Sequence, residues 1–155
     1  MTRRRDPLTK DLFSWQPPVV AVGYGAEVTG RGRLDNKIAR LIAHALRHAR
    51  DEHRLTRPDV AGRMSEYLGR TVSPAMLDKW SSEGSEDHRI SLDAFIALVD
   101  ATGAQGLLGF VPGEFGLVVI EQEYAELIRL HLIREKIKEM QTQEQLLSAR
   151  LRSGS

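Results

Sequence analysis

The sequence predicts an all-α protein with a four- or five-helix domain, a flexible N-terminal arm and a C-terminal helix of coiled-coil type. Three observations support this fold class. Apolar residues recur every three or four positions between residues 35 and 53, as on one buried face of a helix. Two shorter segments with apolar faces begin with Thr or Ser followed closely by Pro, which is typical of a capped helix start. A final charged segment carries a heptad pattern.

Composition limits the function classes. The chain has 155 residues, of which 41% are hydrophobic, and this suits one domain of ordinary size with flanking segments. Because it has no cysteine, disulfides, cysteine nucleophiles and thiolate metal sites are excluded, and a cytoplasmic location is expected. No apolar run reaches the roughly 18 residues that a membrane span requires, and no secretory signal is recognised.

The net charge of +1 conceals an uneven distribution. Residues 1–70 carry 14 Lys or Arg against 8 Asp or Glu, a balance of +6, whereas residues 71–155 carry 8 against 13, a balance of −5. A basic front half attracts a polyanion because binding releases counterions. A solvated basic face without a partner explains the same distribution, so charge alone leaves both interpretations open.

Residues 1–33 are predicted to form a flexible basic arm, since prolines and glycines are frequent there and no helical period is present. Its arginines Arg3, Arg4 and Arg5 either reach into a minor groove or form a basic tail that adds non-specific affinity. The apolar segment 12–15 is either a docking peptide for a protein partner or packs on its own domain.

Residues 34–120 are predicted to form the helical domain. Its first helix is expected over residues 35–53, with Asp35 as the capping residue. A later helix is expected to start near Ser91, and residues 117–120 form either a short strand or a buried turn.

Between these elements lie two short helices that meet across a turn containing glycine. One begins at the capping residue Thr56, and Gly69 permits a left-handed stop. The next begins at Ser73 and directs Leu77 and Trp80, three residues apart, towards the core. This arrangement is typical of a helix-turn-helix unit, in which the second helix enters the major groove of DNA.

At these residues the chain resembles the lambda-repressor-like family of helix-turn-helix regulators, in the style of small phage-type proteins. The resemblance covers residues 36–103. The stretch 65–72 is longer than the family's usual turn, so the preceding helix runs on to Leu68 or the turn is looser. The residues that carry the resemblance are Thr56, Val60, Ala61, Met64, Ser73, Leu77 and Trp80.

The resemblance implies a DNA-reading surface on the outward side of the helix that starts at Ser73. Pro74 and Ala75 are expected to contact a thymine methyl group, and Asp78 to accept from a cytosine amine. Lys79 is expected at a guanine or a phosphate. Arg57 matches a family position that contacts the backbone or assists the reading helix, and an ordinary solvated arginine is the alternative. The expected DNA-binding residues are Arg57, Ser73, Pro74, Ala75, Asp78, Lys79 and Ser82.

Residues 121–155 are predicted to form a C-terminal dimerisation helix. Its apolar residues fall on alternating steps of three and four, interrupted only by Glu144, and this spacing is that of an a/d seam. The alternative is a single amphipathic helix packed on its own domain. The seam consists of Leu130, Ile133, Ile137, Met140, Leu147 and Leu151.

No catalytic, metal or cofactor site is predicted. His44 and His48 lie four residues apart, but no glutamate follows the first histidine, as a zinc-protease motif requires. The glycine-rich segments 23–25 and 30–32 lack the preceding strand and the following Gly-Lys-Ser of a phosphate loop. The protein is therefore not expected to be an enzyme.

The predicted function is sequence-specific binding of double-stranded DNA by a homodimeric transcriptional regulator, encoded by a phage or prophage. An accessory DNA-binding protein of phage transposition or replication is one alternative. The other is a protein–protein adaptor on a helix-turn-helix scaffold, which the acidic balance after residue 70 favours.

Overall fold

Helices dominate the computed structural model, which describes residues 20–21, 23–85 and 87–154, and this confirms the all-α class. Two short strands, β1 (Val20–Ala21) and β2 (Val119–Ile120), pair with each other. Of the two forms expected for residues 117–120, the structure shows the short strand. The helices are α1 (Ala26–Thr29), α2 (Leu34–His53), α3 (Arg57–Leu68), α4 (Pro74–Trp80), α5 (Leu92–Thr102), a 3-10 helix (Gln105–Gly109), α6 (Phe110–Gly113) and α7 (Gln122–Ser153).

The chain divides into two compact units. We call the one that spans residues 21–119 the first unit. The described part of the other comprises Val20 and residues 120–154, which include α7. The arginines at positions 3–5 and the apolar segment 12–15 lie outside the described residues.

Residues 23–33 belong to the first unit, so the arm expected over residues 1–33 ends earlier than the sequence suggested. The side chain of Arg40 holds this segment, since its Nη1 donates to the carbonyl oxygens of Thr29 at 2.7 Å and Arg31 at 3.0 Å. The Tyr24 ring packs edge-on against His44, with ring centroids 4.7 Å apart. Such contacts involve distant residues and produce no local periodicity.

Helix α2 buries the expected apolar stripe but begins differently from the prediction. Its N-cap is Arg33, which makes no side-chain capping bond, and Asp35 already lies in the first turn. The Asp35 carboxylate instead accepts from the backbone N–H of Asn36 at 2.9 Å and from the guanidinium of Arg89 at 2.7 Å. The predicted capping role of Asp35 was therefore wrong.

Helix α3 has both predicted ends. Thr56 and Asp59 form a capping box, in which each side chain accepts a hydrogen bond from the other's backbone N–H. The hydrogen bonds that the Thr56 hydroxyl and backbone N–H donate to the Asp59 carboxylate hold its pKa below the usual value. Gly69 ends the helix with φ of 64°, a left-handed conformation that glycine adopts without strain. Since α3 extends to Leu68, the long stretch before α4 is accounted for by additional helix.

The core of the first unit lies where α3 packs against α4 and α5, with α2 contacting α5. Apolar side chains from all four helices close it. The largest fully buried apolar side chains are Leu41, Ile42, Val60, Met64, Leu77, Leu98 and Leu107.

Helix α7 has 32 residues, none of which is buried. All six seam side chains are exposed, and so are several apolar residues off the seam, such as Leu132 and Leu146. Within the part of the chain that the structure describes, no helix combines the length and the apolar character needed to cross a lipid bilayer.

Candidate nucleic-acid interface

Helix α4 is anchored from one side and open on the other. Leu77 is fully buried and Trp80 is only 8% exposed, so both act as core residues, as the sequence predicted. The opposite side of the helix presents Pro74, Ala75 and the polar pair Asp78 and Lys79, all of them exposed. We call Pro74, Ala75, Asp78 and Lys79 the α4 face. A face held by buried anchors presents its side chains in a fixed orientation.

Local chemistry fixes where α4 begins and how it meets α3. The Ser73 hydroxyl accepts a hydrogen bond from the backbone N–H of Met76 at 3.3 Å, and Pro74 occupies the first helical position. In the preceding turn, the Ser65 hydroxyl receives the N–H of Val72 at 2.8 Å and donates at 2.7 Å to the carbonyl of Ala61. A side chain of α3 therefore holds the chain that leads into α4.

Helix α4 is shorter than the sequence suggested. The sequence predicts a helix from Ser73 that ends near Gly84, but α4 ends at Trp80, and Ser81 follows as the C-cap. Ser82 is exposed in the turn after the helix, where its N–H donates to the carbonyl of Lys79 at 3.3 Å. It therefore lies at the end of the α4 face and not on a further helical turn.

An ion pair links the start of α3 to the α4 face. The Arg57 Nε lies 2.7 Å from a carboxylate oxygen of Asp78, and both side chains are partly exposed. The pair couples the first residue of α3 to the exposed side of α4. Only one carboxylate oxygen of Asp78 faces Arg57, so the expected contact with a cytosine amine stays a prediction.

Lys79 is the cation of the α4 face. Its ammonium group lies 3.3 Å from Nε2 of His88, in the segment between α4 and α5. Both residues are exposed, so the ammonium can meet a phosphate or the edge of a guanine without a large movement.

Arginines pair with two of the acidic residues near α4, Asp78 and Glu83. Glu83 accepts two hydrogen bonds from Arg40, from Nε and Nη2, each 2.8 Å long. Such a bidentate pair orients both groups and cancels much of the local negative charge. Asp87 is exposed, whereas Glu86 lies outside the described residues.

A further compensated acid lies at the start of α5. Asp93 accepts from the Ser91 hydroxyl and from Arg70, and these hydrogen bonds lower its pKa to about 2. It therefore stays ionised and paired at neutral pH. The cost of this compensation is that Arg40 and Arg70 are engaged within the protein and contribute less to a phosphate-binding surface.

Further positive charge lies on α2 and just after it, where Arg47 and Arg54 are exposed. Burial, together with the charges of Arg47 and His48, lowers the pKa of His44, so His44 adds little charge at neutral pH. Among the described residues, no three His, Asp or Glu side chains converge as metal ligands would.

Sequence reasoning did not find the pairs Arg57–Asp78 and Arg40–Glu83. No local signal identifies them, since the partners lie on different elements. Comparison with known proteins gave no matching family model, no similar curated protein and no similar solved structure.

Proposed function

We propose that this protein binds double-stranded DNA sequence-specifically as a homodimeric, cytoplasmic transcriptional regulator of the lambda-repressor-like, phage type. The observation that carries the proposal is the α4 face, which is exposed, partly polar and anchored from behind by Leu77 and Trp80. Helix α4 would enter the major groove while α3 crosses the backbone. Exposed arginines would supply most of the affinity through phosphates, and the α4 face would supply selectivity.

The roles within the α4 face follow from chemistry. Pro74 and Ala75 are small and apolar, which suits contact with a thymine methyl group. Lys79 suits guanine or phosphate. Arg57 has five N–H donors, so its bond to Asp78 leaves other donors for a guanine edge or a phosphate. The Arg57–Asp78 pair thus acts as one reading unit in this proposal.

A duplex library selection at two salt concentrations tests sequence-specific binding. The protein is expected to enrich one site at both concentrations, and affinity should fall steeply as salt rises because phosphate contacts release counterions. The double substitution Ala75→Glu with Lys79→Glu should abolish enrichment, because two carboxylates then face the groove. Circular dichroism should show an unchanged fold, since both positions are exposed.

Arg47→Glu is the matched control, since it makes the same charge reversal as Lys79→Glu at an exposed position of α2. It is expected to lower affinity for all duplexes alike and to leave the enriched sequence unchanged. If the selection still enriches the wild-type site after the α4 face is altered, α4 is not the reading helix.

Removal of the Asp78 carboxylate is expected to strengthen DNA binding and weaken discrimination. Asp78→Ala deletes a negative charge facing phosphates and releases Arg57, so affinity for random duplex should rise about tenfold at low salt. One additional phosphate contact makes the slope of log affinity against log salt steeper by about 0.9. Stability should change by less than about 1 kcal/mol because the pair is exposed.

Asp100→Ala is the control for Asp78→Ala, since it removes the same charge from an exposed position near the end of α5. Fluorescence anisotropy over a salt series measures both variants. Equal effects of the two substitutions would show that only net charge matters and that the Arg57–Asp78 pair has no special role.

Exposed apolar side chains on the first unit favour a second candidate function, the adaptor. Leu92 and Val111 are exposed and line one apolar groove together with Phe95 and Phe110. Contiguous exposed apolar surfaces are typical of protein–protein interaction sites. The adaptor predicts weak duplex binding with no enriched sequence, so the same selection distinguishes the two functions. An accessory role in transposition or replication retains DNA binding and differs only in its partners.

A further inference from the structure

The orientation of the proposed dimer can be derived from the charges on α7. The seam residues occupy heptad positions a and d, with Leu130 at a and Ile133 at d. The same frame places Glu123 and Glu144 at a and Glu126 at d, so three carboxylates lie on the line that faces the partner helix. What each carboxylate meets depends on the direction of the partner.

A parallel, in-register pair brings like charges together. Identical core positions then face each other, so Glu123, Glu126 and Glu144 each meet the same residue of the partner. On the flank, position g of one helix faces position e of the next heptad of the other, which places Arg129 against the partner's Arg134. Each of these contacts is repulsive, and those of the glutamates take place at the interface core.

An antiparallel pair with Ile137 opposite the partner's Met140 replaces the repulsions at Glu126 and Glu144 with attractions. In that register Glu144 lies across from the partner's Ile133, with the partner's Arg134 beside it on the same flank. Glu126 lies beside the partner's Arg150, and Glu123 lies across from the partner's Gly154, at the end of the paired helices. Arg129 also approaches the partner's Arg150, but Glu126 shares that position and offsets the repulsion.

Other antiparallel registers are less favourable. A shift by one heptad in one direction places Glu126 opposite the partner's Glu144. A shift in the other direction leaves Leu130 at the edge of the overlap, without an apolar residue across from it. The register centred on Ile137 and Met140 is therefore the one that satisfies both apolar contact and charge.

We propose that α7 pairs antiparallel with α7 of a second copy of this chain, with Ile137 opposite the partner's Met140. The inference rests on the dimer in the proposed function and adds its direction. In this arrangement the two chains enter the paired helices about 50 Å apart, given a rise of about 1.5 Å per residue. A parallel pair would bring these entry points within about 10 Å.

Arg134→Glu distinguishes the two directions because its effects have opposite signs. In the antiparallel pair it places a carboxylate beside the partner's Glu144, and the dimer dissociation constant should rise about fivefold. In a parallel pair it turns the Arg129–Arg134 repulsion into an attraction, and the constant should fall. Sedimentation equilibrium of the full chain measures the constant.

Two further variants complete the charge test. The double variant Arg134→Glu with Glu144→Arg restores the antiparallel ion pair with its charges exchanged and should return the dissociation constant to within about twofold of wild type. Lys138→Glu makes the same charge reversal at heptad position b, away from the interface, and should leave the constant nearly unchanged. Tighter association of Arg134→Glu would overturn the antiparallel direction.

Cysteine cross-linking gives a second readout, and the chain suits it because it has no native cysteine. A mixture of Leu130→Cys and Leu147→Cys chains should form a disulfide-linked dimer on oxidation, because those positions face each other in the proposed register. Leu130→Cys alone should not cross-link, since its two copies lie about 25 Å apart along the paired helices, far beyond the distance that a disulfide spans. Efficient cross-linking of Leu130→Cys alone would show a parallel pair.

Failure of the orientation and failure of the dimer are distinguishable. If the wild-type chain sediments as a monomer at all concentrations, the dimer itself is wrong and the orientation falls with it. If it dimerises but Leu130→Cys cross-links to itself, only the direction is wrong. DNA selection with the α4 variants tests the reading helix separately from both results.

Discussion

Leu77→Ala is expected to lower the free energy of unfolding by about 2–5 kcal/mol. Leu77 is 0% exposed and lies on a helix of 7 residues, which has few other anchors. The substitution removes apolar contacts and leaves a cavity beneath the α4 face. Since small domains are stable by about 5–15 kcal/mol in total, the loss is a large part of the whole.

Urea unfolding followed by circular dichroism measures this loss, and Leu92→Ala provides the matched control. The chemical change is identical, but Leu92 is 75% exposed at the first position of α5, so its removal should cost below about 0.5 kcal/mol. Similar losses from the two substitutions would mean that Leu77 does not anchor α4. In that case the α4 face has no fixed orientation and the proposed function loses its basis.

Local signals in the sequence predicted much of the first unit, residues 21–119. The caps at Thr56 and Ser73 and the stop at Gly69 were found because capping depends on residues within one turn of the helix end. The inward positions of α2 and α4 were found because helical periodicity reports which side is buried. Each of these features depends on neighbours that are close in sequence.

Features that depend on distant residues were not predicted. Asp35 resembled a cap, but its carboxylate accepts from Arg89, 54 positions away. Arg40 and Glu83 are 43 positions apart, and in a chain with 22 basic and 21 acidic residues many such pairs are equally plausible. The segment 23–33 was assigned to the arm because it lacks periodicity. Hydrogen bonds from Arg40 hold it in place instead, and no local pattern in the sequence reports them.

The α4 face is therefore a mixture of predictable and unpredictable parts. Its outward side chains follow from helical geometry, since Leu77 and Trp80 define the buried side. The ion pair that joins Arg57 to Asp78 changes the chemistry of the face, because it replaces an isolated acceptor with a charged pair. Only the packing of α3 against α4 brings these two residues together.

Ile137→Asp is expected to dissociate the proposed dimer and to weaken binding to a two-fold symmetric operator by about a hundredfold or more. Ile137 is 49% exposed on α7 and lies at the centre of the seam. Two substituted side chains per dimer remove about 3–6 kcal/mol of apolar burial, and each buried carboxylate adds a desolvation cost. A monomer binds one half-site at a time and loses the effective concentration that linkage provides.

Leu132→Asp is the matched control, because Leu132 lies on the same helix, is 62% exposed and falls outside the seam. It introduces the same charge in place of an aliphatic side chain, so both variants carry the same penalty for the isolated helix. Sedimentation velocity and operator titration should therefore show a monomer with weak binding for Ile137→Asp, and a dimer with near wild-type binding for Leu132→Asp. If Leu132→Asp dissociates the protein as fully as Ile137→Asp does, association uses a broader apolar surface of α7. A narrow seam would instead give these two chemically equal substitutions different effects on the dimer.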